Sequence, residues 1–325
     1  MATQMPVNGA KRLIQCLERQ GVEVIFGYQG GAAMPIFDAL MGSSIKLIPS
    51  RHEQGAMHMA DGYARATGKP GVVLVTSGPG ATNTVTGLFT AHMDSVPVVL
   101  ITGQIVSSLL GKDGFQEADI TGITYAVTKH SYLLKQASDV PRVVAEAFHI
   151  ATVGRPGPVV IDMPRDVSMA PCDAPFVDQV VIPGYQVPSR APAADLQTAA
   201  RLIQRSRKPV FYVGHGAVIS GAGPAIMHLA EKLGAVIVNS LLGKGACPED
   251  HDLHLGMLGH HGTPYANKAV HGCDLIMAID GDPITRGDAL TRILSRKYAG
   301  DSVELTIFRA GRTQRLKVRL GAAGE

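Results

Sequence analysis

Short runs of consecutive apolar, mostly β-branched residues alternate through the first half of the chain with segments whose apolar positions recur at helical spacing. Residues 23–26, 46–49, 72–76, 98–102 and 158–162 predict strands, and 11–20, 34–41, 53–67, 81–92 and 140–152 predict helices between them. Strands that are apolar throughout are buried on both faces, as in a parallel sheet covered by helices. The expected fold of residues 1–166 is therefore α/β, a doubly wound parallel sheet.

The pattern lapses over residues 167–192, where Pro171, Pro175, Pro183, Pro188 and Pro192 predict a linker laid over the surface. Alternation then resumes over 193–279 with helices at 195–205 and 223–233 and strands at 209–213, 235–238 and 274–279, a smaller α/β unit of three strands. Beyond Ile279 the pattern changes. Asp280-Gly281-Asp282-Pro283 is turn chemistry, 289–298 predicts a short helix, and two period-two strands flank the turn Arg309–Arg312 as a hairpin.

Composition narrows the class further. The chain has 325 residues, 46% hydrophobic and 18% charged, with 37 Gly, 20 Pro and no Trp, which excludes disorder and coiled coil and favours many tight strand-to-helix turns. No apolar stretch approaches the roughly 20 residues of a membrane span, and the N-terminus lacks a signal-peptide core, so a cytoplasmic protein without membrane contact is expected. Cys16, Cys172, Cys247 and Cys273 lack metal-knuckle spacing and are read as buried thiols. Nine basic against five acidic residues lie in 281–325. They alternate with Val303, Leu305, Ile307, Leu316 and Val318, so a solvated sheet face is expected in place of a nucleic-acid arm.

Candidate chemistry sits at the turns. Glu53, in Arg51-His52-Glu53-Gln54-Gly55-Ala56, opens a helix, where a carboxylate can merely offset the helix dipole. Ser77-Gly78-Pro79-Gly80-Ala81-Thr82-Asn83 is a Gly-rich strand-to-helix turn able to bring backbone N–H groups to a ligand. Gly214-His215-Gly216 resembles part of a dinucleotide fingerprint without its third glycine. His251, His254, His260 and His261 cluster without completing a recognisable metal-ligand spacing, so no metal site is assigned.

Five ordered motifs carry a family resemblance. They are Phe26-Gly27-Tyr28-Gln29-Gly30-Gly31-Ala32, the Glu53 segment, Gly78 to Asn83, Gly114-Phe115-Gln116-Glu117-Ala118-Asp119 and Gly154-Arg155-Pro156-Gly157-Pro158. Over about residues 5–279 the chain resembles the thiamine-diphosphate-dependent acetolactate synthase large subunit, with a pyrimidine-binding domain followed by a middle domain that in this family holds FAD. The resemblance implies that pyruvate is decarboxylated and condensed with a second 2-oxo acid, a step of branched-chain amino-acid biosynthesis. Glu53 would hydrogen-bond N1′ of the aminopyrimidine and must be protonated when it donates, so a site sheltered from water is expected. It further implies that Gly30, Gly31, Ala32, Gly78, Gly80 and Asn83 line the cofactor pocket, with Gln116 on the thiazolium side and Phe115 and Arg165 towards substrate. Arg155, Gly214 to Gly216 (His215 included), Leu241, Leu242, Gly243, Gly259, His260, His261 and Gly262 would touch FAD.

The sequence departs from the family in several places. Gln29 replaces a usual Pro, Val106-Ser107-Ser108 replaces a Pro-Arg-Arg stretch, and Arg165 stands where Lys is usual, which leaves another thiamine-diphosphate-dependent decarboxylase or carboligase open. The Gly-Asp-Gly motif by which this family binds Mg²⁺ and the diphosphate does not occur in the 325 residues. The expectation is a half-site that is inactive alone, completed by a separate diphosphate-binding domain, in a homo-oligomer. Residues 280–325, entered through Asp274-Leu275-Ile276-Met277-Ala278-Ile279-Asp280-Gly281, resemble the C-terminal half of an HtrA-type PDZ domain. A non-catalytic scaffold or interaction module is the alternative.

Overall fold

A computed structural model describes residues 7–185, 187, 190–279, 302–309 and 312–319. The expected turn Asp280–Pro283 and the expected helix at 289–298 lie outside the described residues. The chain divides into two units, Met1–Arg190 and Ala191–Glu325.

In the first unit the apolar runs become β1 (Val24–Gly27), β2 (Lys46–Pro49), β3 (Gly71–Val75), β4 (Val98–Gln104), β5 (His130–Leu133) and β6 (Val159–Pro164). All pair in parallel in the order β2-β1-β3-β4-β6-β5. The helices are α1 (Gly9–Arg19), α2 (Met34–Ala39), α3 (Glu53–Thr67), α4 (Pro79–Thr82), α5 (Val85–Met93), α6 (Ile120–Thr124), α7 (Val140–Thr152) and α8 (Arg165–Met169).

The strand alternation divides the core between two faces. Val72, Leu74, Val99, Ile101, Val159 and Ile161 pack with Leu13, Ile14 and Leu17 of α1 and Val143, Val144 and Ala147 of α7. Val73, Val75, Val98, Leu100 and Val160 pack with Met57, Ala60 and Ala64 of α3 and Leu88 and Ala91 of α5. β3, β4 and β6 are buried along their whole length, which is why they read as unbroken apolar runs.

Several elements of this unit differ from expectation, and α6 and α8 were not foreseen. The helix expected over 81–92 is two, α4 and α5, broken where the Thr84 hydroxyl donates back to the Ala81 carbonyl. β5 has no apolar run, because as an edge strand paired only with β6 it is half exposed. The linker is anchored: Pro171 bridges Asn8, the Phe176 ring lies under the guanidinium groups of Arg12 and Arg19, and the Tyr185 hydroxyl donates to the Val153 carbonyl.

The second unit holds α9 (Ala193–Arg205), β7 (Pro209–Val213), α10 (His215–Ile219), α11 (Gly223–Leu233), β8 (Val236–Asn239), β9 (His254–Met257), α12 (Pro264–Gly272) and β10 (Leu275–Ile279). Its sheet has four parallel strands, β10-β7-β8-β9, and not three. β9 escaped the pattern because two of its four residues, His254 and Gly256, are not apolar, and its register with β8 is broken between Ile237 and Asn239. Asp274, just before β10, accepts from the Ser206 hydroxyl and from the backbone N–H groups of Arg207 and Lys208, which holds its carboxyl near 2 and fastens β10 beside β7. The expected hairpin is present as β11 (Ser302–Arg309) and β12 (Arg312–Arg319), with Leu305 opposite Leu316. Cys16, Cys172 and Cys247 are buried, whereas Cys273 is half-buried.

Candidate active site

The connection from β1 leads to β2 on one side of the first sheet, and that from β3 leads to β4 on the other. The C-terminal ends of β1 and β3 therefore flank the point where strand order reverses, where open α/β sheets leave a crevice for ligands. The loop Gly27–Ala33, the turn Thr76–Asn83 and the start of α3 meet there.

Thr76, buried at the end of β3, organises this meeting. Its hydroxyl accepts from the Ala32 N–H at 3.3 Å, and a Cβ on Gly30 would collide with its side chain. A Cβ on Gly80 would lie 2.7 Å from Thr76 Cγ2 and 3.4 Å from Glu53 Oε1, so a side chain there would fill the space between Thr76 and the Glu53 carboxylate. Beside Gly31 the space is open.

Glu53 is the first residue of α3 and only 7% exposed. The helix start does not occupy its carboxylate, because His52 caps it through Nδ1, which accepts from the Gln54 N–H at 3.1 Å. Glu53 Oε2 reaches across the crevice and accepts from the Asn83 side-chain amide at 3.0 Å. An acid placed merely to offset the dipole would stay with its own first turn. The Ser77 hydroxyl, in the same Gly-rich turn, is buried without a hydrogen-bond partner.

The segment carrying Phe115 and Gln116 closes over this turn. Glu117 accepts from the N–H groups of Gly111 and Gly114, which draws it below the usual carboxylate range and curls the loop. Gln116 adopts φ 58°, and its carbonyl would lie 2.5 Å from a Cβ on Gly78, itself at φ 55°; only glycine fits there. The Gln116 side chain is exposed, and Phe115 is 87% exposed. Arg165 is exposed at the start of α8, beyond the C-terminal end of β6. Arg155 lies at the opposite, N-terminal edge of the sheet, donating to the Ser95 hydroxyl at 2.7 Å and the Met93 carbonyl at 3.2 Å.

In the second unit, Gly214 to Gly216 follow β7, Leu241 to Gly243 follow β8 and Gly259 to Gly262 follow β9, all at the C-terminal edge of that sheet. A Cβ on Gly243 would strike the Val213 carbonyl and come within 3.0 Å of Gly214 Cα, so two of these loops pack backbone to backbone. Asn267 clamps Gly259 by two hydrogen bonds, and the His260 and His261 rings meet edge to face at 5.5 Å. Asn239, at the end of β8, is buried and its Oδ1 has no partner. Among the described residues no group of three His, Cys, Asp or Glu could hold a metal ion, and His251 pairs with Glu231. No helix among them is long and apolar enough to cross a membrane.

The family comparisons bear on both units. Residues 7–123 match the thiamine pyrophosphate enzyme N-terminal TPP binding domain, and residues 196–288 match the central domain of the same enzymes. Over these two stretches the chain carries the N-terminal and central domains of the thiamine pyrophosphate enzymes. The relatives include an acetolactate synthase of Arthrospira platensis, 51% identical over 282 residues, covering 84% of this chain and 49% of the relative. A probable acetolactate synthase large subunit of Methanocaldococcus jannaschii is 47% identical, covering 84% and 47%, and an acetolactate synthase large subunit of Porphyra purpurea is 49% identical with the same coverage. The chain thus spans about half the length of these relatives. A PDZ domain matches residues 259–320 and overlaps the central-domain match, with β10 inside both.

The crevice of the first unit could hold a flat heterocycle such as an aminopyrimidine. A buried carboxylate, a glycine that leaves room beside it, an unpartnered buried hydroxyl and open space beside Gly31 offer polar groups and space to a flat heterocycle. Sequence reasoning named Glu53, Gly30, Gly80 and Asn83 but missed Thr76 and Ser77, although both lie in the quoted turn or directly before it. Their signal was two hydroxyls ending an otherwise apolar strand.

Proposed function

We propose that this chain supplies the aminopyrimidine half of an acetolactate synthase active site. The observation that supports this most is the Glu53 carboxylate, sheltered and turned away from its own helix start towards Gly80 and Asn83. Thiamine diphosphate, when bound, supplies the electron sink for decarboxylating a 2-oxo acid such as pyruvate. Glu53 hydrogen-bonds N1′ of the aminopyrimidine, and the Asn83 amide, donating to its carboxyl, keeps it oriented. Gly30, Gly31, Ala32, Gly78 and Gly80 leave room for the ring, and Gln116 with Phe115 and Arg165 faces the substrate.

In this reading Mg²⁺ and the diphosphate are held by a diphosphate-binding domain outside these 325 residues, in which Gly-Asp-Gly does not occur. The protein works as a homo-oligomer in the cytoplasm. FAD is assigned to the second unit, where Gly214 to Gly216, Leu241 to Gly243 and Gly259 to Gly262 edge the sheet and Asn239 Oδ1 is a buried acceptor in need of a donor. Arg155 is assigned to FAD on the family resemblance alone.

The test is to incubate the purified chain with pyruvate, thiamine diphosphate, Mg²⁺ and FAD, with and without a separately expressed diphosphate-binding domain. Acetolactate formed only with the added domain is the expected result. Turnover without it overturns the half-site, and none in either case favours the second reading, a non-catalytic interaction module, to which the PDZ match over 259–320 gives weight.

A further inference from the structure

Asp162 is an anomaly in the core of the first sheet. It is 2% exposed in the middle of the apolar strand β6 and shares with Val160 the sheet face on which α3, α5 and α6 pack. Among the described residues no ion pair compensates it. Its carboxylate accepts from the Thr102 hydroxyl at 2.7 Å and from the Gln104 side-chain amide at 3.0 Å, both on the neighbouring strand β4.

Gln104, only 1% exposed, passes this contact on. Its Nε2 also donates to the Ala118 carbonyl at 2.9 Å, while its Oε1 accepts from the Ile105 N–H at 2.8 Å. The amide is saturated in one orientation. Ala118 lies two residues from Gln116, whose own carbonyl rests on Gly78 of the cofactor turn. The loop with Phe115 and Gln116 is thus held at one end by Gly78 and at the other by Gln104, and Gln104 is aimed by Asp162.

We propose that Asp162 is a positioning residue, which through Gln104 and Ala118 sets the placement of the Phe115–Gln116 loop over the crevice. That the loop faces substrate rests on the function proposed above; the coupling itself does not. A carboxylate and a carboxylic acid pull on the Gln104 amide with different strength, since charge-assisted hydrogen bonds are the stronger kind. Burial raises the Asp162 carboxyl to about 7, opposed by the Thr102 and Gln104 hydrogen bonds and assisted by the negative charge of Asp119 at the cap of α6. On α3, packed against this face, Asp61 pairs with Arg65 and Glu53 accepts from Asn83. On β5 the Tyr132 hydroxyl donates to Glu146 of α7, which covers the other face, and Asp166 of α8 accepts from Ser107.

The chain has no Trp, so Phe115→Trp places a single indole on the loop. Its emission is followed from about pH 5 to about pH 9, a range spanning a carboxyl that titrates near neutrality. The expected result is one transition centred near pH 7. Adding Asp162→Asn removes that transition and leaves the emission at its acid-form value, because the neutral amide keeps the hydrogen bond from Gln104. Adding Thr102→Val, which preserves shape but deletes a donor to the carboxylate, moves the midpoint upward. Flat emission without either second change overturns the proposal. So does a transition that survives Asp162→Asn, or a midpoint that Thr102→Val leaves in place. Far-UV circular dichroism checks folding, and the Thr102→Val shift decides the matter if Asp162→Asn does not fold. No result depends on turnover, so failed carboligation leaves this coupling standing and flat emission in an active enzyme sinks it alone.

Discussion

The two parallel sheets of this chain share a design and part company in what they place at it. Each reverses strand order, between β1 and β3 in one and between β7 and β10 in the other, and each puts glycine-bearing loops at the C-terminal strand ends. At the first reversal a buried acid, an amide and two hydroxyls are gathered around Gly80. At the C-terminal edge of the second sheet the loops press backbone on backbone, and the buried polar side chain among the described residues is Asn239. Topology supplies a place for a ligand in both; the side chains decide that only the first gathers a buried acid there.

The sharpest contrast is electrostatic. Asp162 lies in the first sheet with its carboxyl raised to about 7, whereas an unfolded aspartate stays near 3.8. The folded state therefore holds the extra proton between these values, and the stability Asp162 gives is present at low pH and lost as pH rises towards 7. Relative to Asp162→Asn, the unfolding free energy of the chain should fall over that window by up to about 4 kcal/mol, at about 1.4 kcal/mol per unit. Denaturant titrations at several pH values check this. A difference that rises with pH removes the contrast.

Next in size is the second sheet's own signature. Gly243→Val drives a side chain into the Val213 carbonyl and should destabilise the second unit by about 3 kcal/mol, seen as an early calorimetric transition. Gly78→Ala adds a Cβ at φ 55° against the Gln116 carbonyl and should cost the first unit about 2 kcal/mol while speeding hydrogen exchange in residues 111–118. Gly31→Ala meets open space and should change stability by less than about 0.5 kcal/mol. Equal costs for the last two would show that the turn is not clasped as described.

Much of this was legible in the chain itself. β3, β4 and β6 announced themselves because burial on both faces demands unbroken apolar runs. The edge strand β5 and the irregular β9 did not, because half-exposed strands carry mixed residues. Glu53 was legible as an acid at a helix start; that His52 does the capping and frees it is a matter of backbone geometry. Gln104 and Asp162 were visible as polar residues ending or interrupting apolar strands, but their link to Ala118 spans 14 residues on one side and 58 on the other, and no local pattern encodes it.

The most direct trial of Glu53 is the rate at which the C2 proton of thiamine diphosphate exchanges with deuterated solvent, in the chain completed by a diphosphate-binding domain. Glu53→Gln should leave the melting temperature nearly unchanged and slow exchange by about 100-fold or more, the scale of lost general acid–base help. Exchange at the unaltered rate in a folded, cofactor-loaded Glu53→Gln assembly would contradict the account.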